Sequence, residues 1–425
     1  MNRLLLKNGT LMDPALDLEE AGDLLIENGR ISAIGRLQVE DSETVDVSGN
    51  LVTPGFIDMH VHLREPGQED KETIETGCRA AVAGGFAAVA CMPNTDPVND
   101  NAAITTFVVK RAAEVGLARV FPIGAITRSS KGCQLSEIGA MIDAGAVAIS
   151  DDGHPVANNQ MMRRAMEYSL QFDVPLLDHC EDLELSAGGC MNEGPVSTEL
   201  GLRGMSRAAE EMDVLRDIVL SRLTGARVHI CHISTAESLA WVRQAKQEGI
   251  QVTCEVAPHH FLLTDEKVRG YETLFKMSPP LRRPSDVEAM LEGLADGTID
   301  AVATDHAPHA EIDKDSSFEE SANGIVGLET AVPLVWDRLV LPGVISESRA
   351  VELLTDGPAR VLGLEGRRLE VGAVADITVI DPEAARTVEP DSFESKGRNT
   401  PFGGWSLKGW PTMTIVDGVV VWPFQ

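Results

Sequence analysis

Apolar and polar residues alternate along the stretch from Phe56 to Glu65, which reads FIDMHVHLRE. Alternate side chains of a β-strand point to opposite faces, so this pattern predicts a strand with one apolar and one polar face. The polar face carries Asp58, His60, His62 and Arg64. An ordinary surface strand does not concentrate two imidazoles and a guanidinium in this way, and the pattern therefore predicts that these side chains face a functional site.

The middle of the chain alternates short apolar segments with longer helix-like segments such as MMRRAMEYSLQF and TAESLAWVRQAKQEG. The candidate strands lie at 56–63, 86–92, 119–126, 146–150, 174–179, 227–233, 251–257 and 301–305. Eight strands that alternate with helices predict an α/β fold of the (β/α)8 TIM-like barrel type, which we assign to residues 55–365.

Both ends of the chain differ from the middle, because they consist of short strand-like segments joined by tight turns. Asn8-Gly9 and Asn28-Gly29 near the start, and Asp417-Gly418 near the end, are hairpin signals. The two ends resemble each other in style. We therefore predict one small composite β-sandwich domain, built from residues 1–54 and 366–425.

The charge of the chain narrows its possible partners. Among 425 residues, 66 acidic and 36 basic side chains give a formal net charge of −30. This surplus argues against nucleic acid and against an anionic membrane surface as partners, and an anionic substrate would need local positive charge. The seven cysteines form no C-x-x-C pair, which favours reduced thiols and a cytoplasmic location. The first apolar run is too short for a signal-peptide core, and we expect no membrane span.

Histidine and aspartate recur where the predicted barrel strands end, which is where barrel enzymes carry their functional groups. These residues are His60, His62, Asp151, Asp152, His179, His232 and Asp305. Imidazole and carboxylate are the ligand chemistry of Zn²⁺ or a similar divalent ion. Four buried imidazoles at one barrel mouth would otherwise be desolvated without compensation. The pattern therefore predicts a metal centre with room for two ions and a carboxylate between them.

Seven motifs are similar to those of dihydroorotases, in the amidohydrolase superfamily: DMHVHLREPG, CMPNTDP, SDDG, HCED, CHIST, KMSPPLR and ATDHAPH. The resemblance covers nearly the whole chain and is to the long bacterial type. It implies one or two Zn²⁺ ions per subunit, the first bound by His60, His62 and Asp305 and the second by His179 and His232. Many superfamily members bridge the two ions with a carbamoylated lysine. This chain has AISDDG there, and we predict Asp152 as the bridge, with Asp151 as the alternative.

The same resemblance implies the residues that bind the substrate, namely His62, Arg64, Asn94, Ser278, His309, Asn323 and Gly324. Arg64 is suited to a substrate carboxylate, because a guanidinium can donate two parallel hydrogen bonds. Ser278 stands where the family usually has asparagine, and its hydroxyl side chain is shorter than an amide and offers one donor. The other histidines near the strand ends are interpreted as loop or supporting residues: His154, His229, His259, His260 and His306.

The reaction that the resemblance implies is the reversible hydrolysis of the cyclic amide of (S)-dihydroorotate to N-carbamoyl-L-aspartate, in de novo pyrimidine biosynthesis. A metal-bridged hydroxide would attack, and Asp305 would be the catalytic proton shuttle. One alternative is a related cyclic amidohydrolase, such as a hydantoinase or allantoinase. The missing lysine and the presence of Arg64 count against it. The other is an inactive structural partner of aspartate transcarbamoylase, although every ligand position is filled.

For partners, we expect the small-molecule substrate, a homodimer and a possible complex with aspartate transcarbamoylase. The polar segment 309–325 follows the last strand of the predicted site and ends near glycine, so we expect it to act as a lid.

Overall fold

The structure is a computed structural model that describes residues 3–424. Strands and helices alternate through the middle of the chain, whereas both ends consist mainly of strands. The strands are β1 (Arg3–Asp13), β2 (Leu18–Glu27), β3 (Arg30–Gly35), β4 (Glu43–Asp46), β5 (Leu51–Pro54), β6 (Phe56–Val61), β7 (Phe86–Cys91), β8 (Arg119–Gly124), β9 (Ala148–Ile149), β10 (Leu176–Asp178), β11 (Met191–Asn192), β12 (Gly204–Met205), β13 (Val228–Ile230), β14 (Val252–Val256), β15 (Ala301–Val302), β16 (Ile377–Thr387), β17 (Ser406–Val416) and β18 (Val419–Trp422). The α-helices are α1 (Ile74–Ala83), α2 (Ala102–Val115), α3 (Ile138–Asp143), α4 (Asn159–Ser169), α5 (Pro195–Leu200), α6 (Ala208–Thr224), α7 (Ala236–Gln247), α8 (Pro258–Leu262), α9 (Pro284–Asp296), α10 (Glu311–Lys314), α11 (Ala331–Val335), α12 (Glu347–Leu354) and α13 (Asp356–Leu362).

The barrel consists of eight parallel strands in the order β6, β7, β8, β9, β10, β13, β14 and β15. It is nearly closed, because His306, just after the last strand, forms a parallel bridge with Val61 of the first. The backbone N–H of His62 donates to the carbonyl of His306 at 2.9 Å. The (β/α)8 prediction is confirmed. Most residues of the barrel strands are buried and apolar, as expected for a parallel sheet covered by helices.

The barrel strands are shorter than the sequence predicted. The first ends at Val61 rather than at residue 63. Arg64 lies beyond it and has a φ of 62°, in the left-handed region. The expectation that Arg64 continues the polar face of the strand was therefore wrong, because the backbone turns between the strand and this residue. The fourth strand has only two residues, Ala148–Ile149, and the polar residues after it lie in the loop at the barrel mouth.

The two chain ends together form a second, mostly antiparallel sheet, separate from the barrel. Its strand order is β18, β17, β16, β5, β1, β2 and β3, with β4 paired to β1. The ends of the chain meet where β16 pairs antiparallel with β5, with Ile377 opposite Pro54. Buried side chains from both ends, including Leu24 and Ile415, share one core. This confirms a separate β-structure built from both termini, whereas the exact limits 1–54 and 366–425 stay a prediction.

One segment between β16 and β17 leaves the terminal sheet and packs against the barrel mouth. We call residues 394–400 the strap. The backbone N–H groups of Glu394 and Ser395 donate to the carboxylate of Glu329 at 3.0 and 3.1 Å. The buried carboxylate of Glu72 accepts from the Ser395 hydroxyl and from the backbone N–H of Lys396. Within residues 3–424, no helix is both long enough and apolar enough to cross a bilayer.

Candidate active site

Six imidazole and carboxylate side chains meet at the carboxyl ends of the barrel strands, and each is at most 5% exposed. They are His60, His62, Asp152, His179, His232 and Asp305, the residues that the sequence predicted as metal ligands. His60 lies in β6 and His62 directly follows it, whereas the other four residues follow four different strands. The barrel thus brings together residues as far apart in the chain as His60 and Asp305. His232 and Asp305 have positive φ angles of 32° and 48°. Such backbone is costly for a non-glycine residue and occurs where the surrounding structure fixes it.

Asp152 lies at the centre of this cluster. Its Oδ1 is 3.4 Å from Nε2 of His60, 3.6 Å from Nε2 of His232 and 3.8 Å from Nδ1 of His179. Its Oδ2 is 3.6 Å from Nε2 of His62. Asp152 is therefore shared between the pair His60 and His62 and the pair His179 and His232. This is the position that a carboxylate bridging two ions would need.

Asp151, the alternative bridge, points elsewhere. Its carboxylate accepts from the backbone N–H of Thr127 at 3.0 Å and from the Thr127 hydroxyl. Burial raises the pKa of Asp151 to about 6, against the lowering effect of these hydrogen bonds. Asp151 thus fixes the loop after β8, and the geometry brings Asp152, not Asp151, to the cluster.

Asp305 lies beside the pair His60 and His62. Its Oδ1 is 3.0 Å from Nε2 of His62 and 3.5 Å from Nε2 of His60. Burial alone would raise the pKa values of Asp152 and Asp305, but the surrounding imidazoles hold both pKa values below their usual range. Conversely, burial would lower the pKa of His60, whereas the carboxylates of Asp152, Glu255 and Asp305 raise it well above its usual value. The carboxylates of Asp152 and Asp305 are thus held ionised beside the imidazoles, an arrangement that suits a cation.

The residues present fit a divalent ion. The Nε2 of His60 and the Oδ1 of Asp152 are both buried and have no hydrogen-bond partner, although they face each other. Unpaired buried polar atoms are costly unless another group satisfies them. Ligand atoms within 4.8 Å of one another occur in the sets His60–His62–Asp152, Asp152–His179–His232 and His60–His232–Asp305. Nitrogen and oxygen donors of this kind suit zinc and similar divalent ions.

Two glutamates orient these imidazoles and were not predicted as functional. Glu255 Oε1 lies 2.6 Å from Nδ1 of His60, and Glu181 Oε2 lies 2.8 Å from Nε2 of His179. The nitrogen on the other side of each ring therefore faces Asp152. Burial opposes ionisation of both glutamates, but the neighbouring imidazoles lower each pKa to about 2. A carboxylate behind a ligand imidazole fixes its orientation and raises its basicity.

An open cavity of about 610 Å³ lies above the cluster. All seven residues predicted to bind substrate line it: His62, Arg64, Asn94, Ser278, His309, Asn323 and Gly324. Arg64 is 9% exposed, and its Nε donates to the carbonyl of Pro308 at 3.2 Å. This leaves its two terminal nitrogens without a hydrogen bond to the protein among the described residues.

The other polar groups of the cavity wall are partly engaged. Asn94 Oδ1 lies 2.9 Å from Nδ1 of His62, so Asn94 orients a ligand-type imidazole as well as lining the cavity. The Ser278 hydroxyl donates to the carboxylate of Glu181 at 3.2 Å. Although serine is shorter than the asparagine usual at this position, it therefore still reaches a polar partner. His309 donates from Nε2 to the carbonyl of Asn323 at 2.8 Å. Burial, with nearby positive charge from Arg64, lowers the pKa of His309 to about 3, so this imidazole is neutral.

Most of the histidines interpreted as supporting residues do support the structure. His229 contacts Thr253 at 2.8 Å and Glu255 at 3.2 Å. His260 donates to the carbonyl of Pro279, and His306 contacts Glu72 at 3.3 Å. His154 differs, because it lines the cavity. Asp58, on the polar face of the first strand, accepts from the backbone of His60 and of Thr304 and so joins the first and last strands beneath the site.

Comparison with known proteins shows which family this chain resembles over its length. The family profile described as Dihydro-orotase-like matches residues 49–238, and the profile described as Amidohydrolase family matches residues 277–422. The chain is 53% identical to the dihydroorotase of Syntrophotalea carbinolica over 421 residues, which cover 99% of each protein. It is 56% identical to the dihydroorotase of Pelotomaculum thermopropionicum over 420 residues, covering 99% of this chain and 98% of that protein. Among solved structures, an L-hydantoinase (dihydropyrimidinase) from Arthrobacter aurescens aligns with a TM-score of 0.88 at 25% identity, covering 99% of this chain and 96% of the other.

Proposed function

This chain belongs to the dihydroorotase family, and from that premise we propose that its barrel mouth opens and closes the cyclic amide of dihydroorotate with the residues described above. The observation that supports this substrate best is the juxtaposition of a metal-type cluster with the buried guanidinium of Arg64. A cyclic amide that carries a carboxylate can be bound by both. The chain has a net charge of −30, so an anionic substrate needs local positive charge at its binding site. The buried guanidinium of Arg64 supplies that charge.

We propose that His60, His62 and Asp305 hold one divalent ion, that His179 and His232 hold a second, and that Asp152 is shared between them. Zinc is the metal we propose, because the donors are imidazole nitrogens and carboxylate oxygens. When bound, ions of this kind lower the pKa of water and polarise a carbonyl group. Glu255 and Glu181 hold two of the imidazoles in the orientation that the ions need.

Asp305 is the residue we propose for proton transfer. Its carboxylate is ionised and borders the cavity, so it can accept a proton from the attacking water. In ring opening, the water oxygen forms a bond to the amide carbon and the ring C–N bond breaks. One proton of the water passes through Asp305 to the departing nitrogen, and the other is released to solvent when the new carboxyl group ionises. Ring closure follows the same path in reverse.

The substrate carboxylate is assigned to Arg64, whose terminal nitrogens can form two parallel hydrogen bonds to it. We propose that the side-chain amide of Asn94 contributes a further hydrogen bond from the same wall, and that His309, whose one N–H is donated to Asn323, packs beside the substrate. The backbone around Asn323 and Gly324, with Ser278 opposite, is proposed to border the ring. Since Ser278 already donates to Glu181, its role includes holding that carboxylate behind His179.

We propose that the enzyme is a homodimer, and the exposed side of α6 supports this. Met212, Leu215, Val219 and Leu223 are 56, 39, 50 and 61% exposed and recur at helical spacing, so they form one apolar stripe. Sedimentation should give a dimer that Leu223→Glu converts to monomers. A wild-type monomer that binds aspartate transcarbamoylase through this stripe would replace the homodimer proposal.

The compartment we propose is the cytoplasm, because all seven cysteines are free thiols, as a reducing compartment maintains them.

Turnover measurements test the function directly. The purified protein, loaded with Zn²⁺, is given dihydroorotate, N-carbamoyl-L-aspartate, dihydrouracil and hydantoin in separate assays. We expect interconversion of the first two and turnover of the other two at least about 100-fold slower, because those lack the carboxylate that Arg64 would bind. Equal turnover of dihydrouracil and dihydroorotate would favour a hydantoinase-type enzyme. Full metal content without any turnover would favour the inactive structural partner.

A further inference from the structure

One side chain from a distant part of the sequence joins the two ends of the loop between Ala307 and Val326 by hydrogen bonds. Asn399, in the strap, is 3% exposed. Its Nδ2 donates to the carbonyl of Ala307 at 2.9 Å and to the carbonyl of Gly324 at 3.0 Å. Its Oδ1 accepts from the backbone N–H of His309 at 3.1 Å. Both amide hydrogens and the side-chain oxygen of Asn399 are therefore used to join the two ends of this loop.

The backbone of the strap strengthens the same tie. The carbonyl of Asn399 accepts from the backbone N–H of Val326 at 3.0 Å. Two residues earlier, a Cβ added to Gly397 would lie 2.7 Å from Val326 and 2.8 Å from Pro308, so only glycine allows the strap to approach this closely. Pro308 is the residue whose carbonyl accepts from Arg64. The strap thus packs directly behind the backbone that holds the guanidinium.

Residues 309–325, which we expected to act as a lid, are also held by hydrogen bonds along their length. The buried ammonium of Lys314 donates to the carbonyls of Thr273 and Ala322 at 3.2 and 2.7 Å. Lys276 donates to the carbonyls of Glu319 and Ser321 at 2.8 and 2.7 Å. These contacts fix the middle of the loop to the segment before Ser278, while Asn399 fixes its ends.

We propose that Asn399 is a positioning residue for substrate binding, which sets the places of His309 and of the backbone at Asn323–Gly324 in the cavity wall. The proposal rests on the proposed function, because it assumes that these groups contact dihydroorotate. Asn399 itself does not line the cavity. It acts through the three backbone groups that it binds, and the metal cluster is not among them. Loss of its hydrogen bonds should therefore weaken substrate binding and leave metal binding intact.

Asn399→Asp is the sharpest test, because it keeps the shape of the side chain but replaces both N–H donors with an acceptor that faces two carbonyl oxygens. The unsatisfied buried carbonyl groups destabilise the arrangement of the loop that the substrate needs. We therefore expect KM for dihydroorotate to rise by about tenfold or more, with kcat changed by less than about threefold. Gly397→Ala should reproduce this split, because the added methyl group would lie too close to Val326, Pro308 and the Oδ1 of Asn399 and so would displace the strap. Bound zinc, measured on both purified variants, should equal that of the wild type.

Thr400→Val is the matched control. Thr400 is adjacent and 2% exposed, and its hydroxyl accepts only from the backbone N–H of Phe402 within the C-terminal segment, at 3.3 Å. This variant loses one buried hydrogen bond of the segment but keeps all contacts to the loop. Its KM and kcat should both stay within about twofold of the wild type.

A readout without turnover separates this proposal from the proposed function. Exposed Glu311, Glu319 and Glu320 lie in the loop, so a glutamate-specific protease reports how firmly it is held. Cleavage there, followed by mass spectrometry, should be faster in Asn399→Asp than in Thr400→Val. If the wild-type protein does not act on dihydroorotate, the proposed function fails. The cleavage rates alone then test whether Asn399 holds the loop in place. Equal cleavage in the two variants, or faster cleavage with an unchanged KM, would overturn the positioning role of Asn399.

Discussion

The Oε1 of Glu255 lies 2.6 Å from the Nδ1 of His60, and both side chains are at most 1% exposed. The two residues are 195 positions apart in the sequence. Because this contact occupies one ring nitrogen, the other is directed at Asp152 and the cavity. The same contact gives the Oε1 of this buried carboxylate its partner, so neither side chain can change without affecting the other.

Replacing Glu255 should therefore weaken metal binding. Glu255→Gln removes the negative charge behind His60, and the loss of such a carboxylate typically lowers metal affinity by about 10- to 100-fold. Competition with a chromogenic chelator measures this affinity. Glu72→Gln is the matched control, because Glu72 is also buried and contacts a histidine, His306, outside the cluster. Equal zinc affinities in the two variants would mean that Glu255 does not act through His60.

Removal of one ligand-type imidazole should abolish turnover without unfolding the protein. His179 follows the strand β10 rather than lying in its centre, so its loss leaves the barrel core intact. We expect His179→Ala to lose one zinc ion per chain and its activity, while keeping a single cooperative thermal transition. His154→Ala serves as control, since His154 lines the cavity but lies outside the cluster. A His179→Ala enzyme with near-normal turnover would remove His179 from the ligand set.

Assembly of the centre should not depend on carbon dioxide. In the proposed centre the shared carboxylate is Asp152 itself, so no lysine would have to be carbamoylated before the ions bind. Metal-free protein given Zn²⁺ in bicarbonate-free buffer should regain full activity, and added bicarbonate should not increase it. Asp152→Asn should not recover, whereas Asp151→Asn should still bind zinc, because Asp151 contacts Thr127 instead. A clear bicarbonate requirement would contradict the role of Asp152.

Arg64 should decide the substrate. Loss of a charged, bidentate contact in a desolvated site typically costs ~2–5 kcal/mol. Arg64→Met should therefore lower kcat/KM for dihydroorotate by about 10²- to 10³-fold or more. Arg64→Lys should restore it only in part, because an ammonium cannot form two parallel hydrogen bonds. Zinc content should stay unchanged in both variants. Undiminished turnover of dihydroorotate by Arg64→Met would argue that another group binds the carboxylate.

The sequence predicted the parts of the site that depend on local patterns. His60 and His62 were found because a strand with alternating polarity ended in them, and Asp305 and His232 because each followed an apolar segment. Asp152 could not be separated from Asp151 by pattern alone. The choice depends on which carboxylate turns towards Thr127, and this depends on the packing of the loop after β8.

The groups that the sequence missed act across long distances in the chain. Glu255 sits inside an apolar strand, where a single buried acid was the available signal. Asn399 gave no signal, because it lies in an irregular segment and its partners are about 75 to 92 positions earlier. Arg64 was correctly expected near the cavity but for the wrong local reason, since the strand ends before it and the left-handed backbone turns it there.

The pairing of β16 with β5 has a consequence for how the protein is made. Residues 51–54 leave the ribosome early, but their antiparallel neighbour, which begins at Ile377, is synthesised more than three hundred residues later. Until then β5 has an open edge, and open edges attract strands of other chains. A nascent chain must therefore keep its first strands unaggregated while the whole barrel is translated. Chains that terminate before residue 377 would expose that edge permanently, which makes them candidates for chaperone capture or degradation.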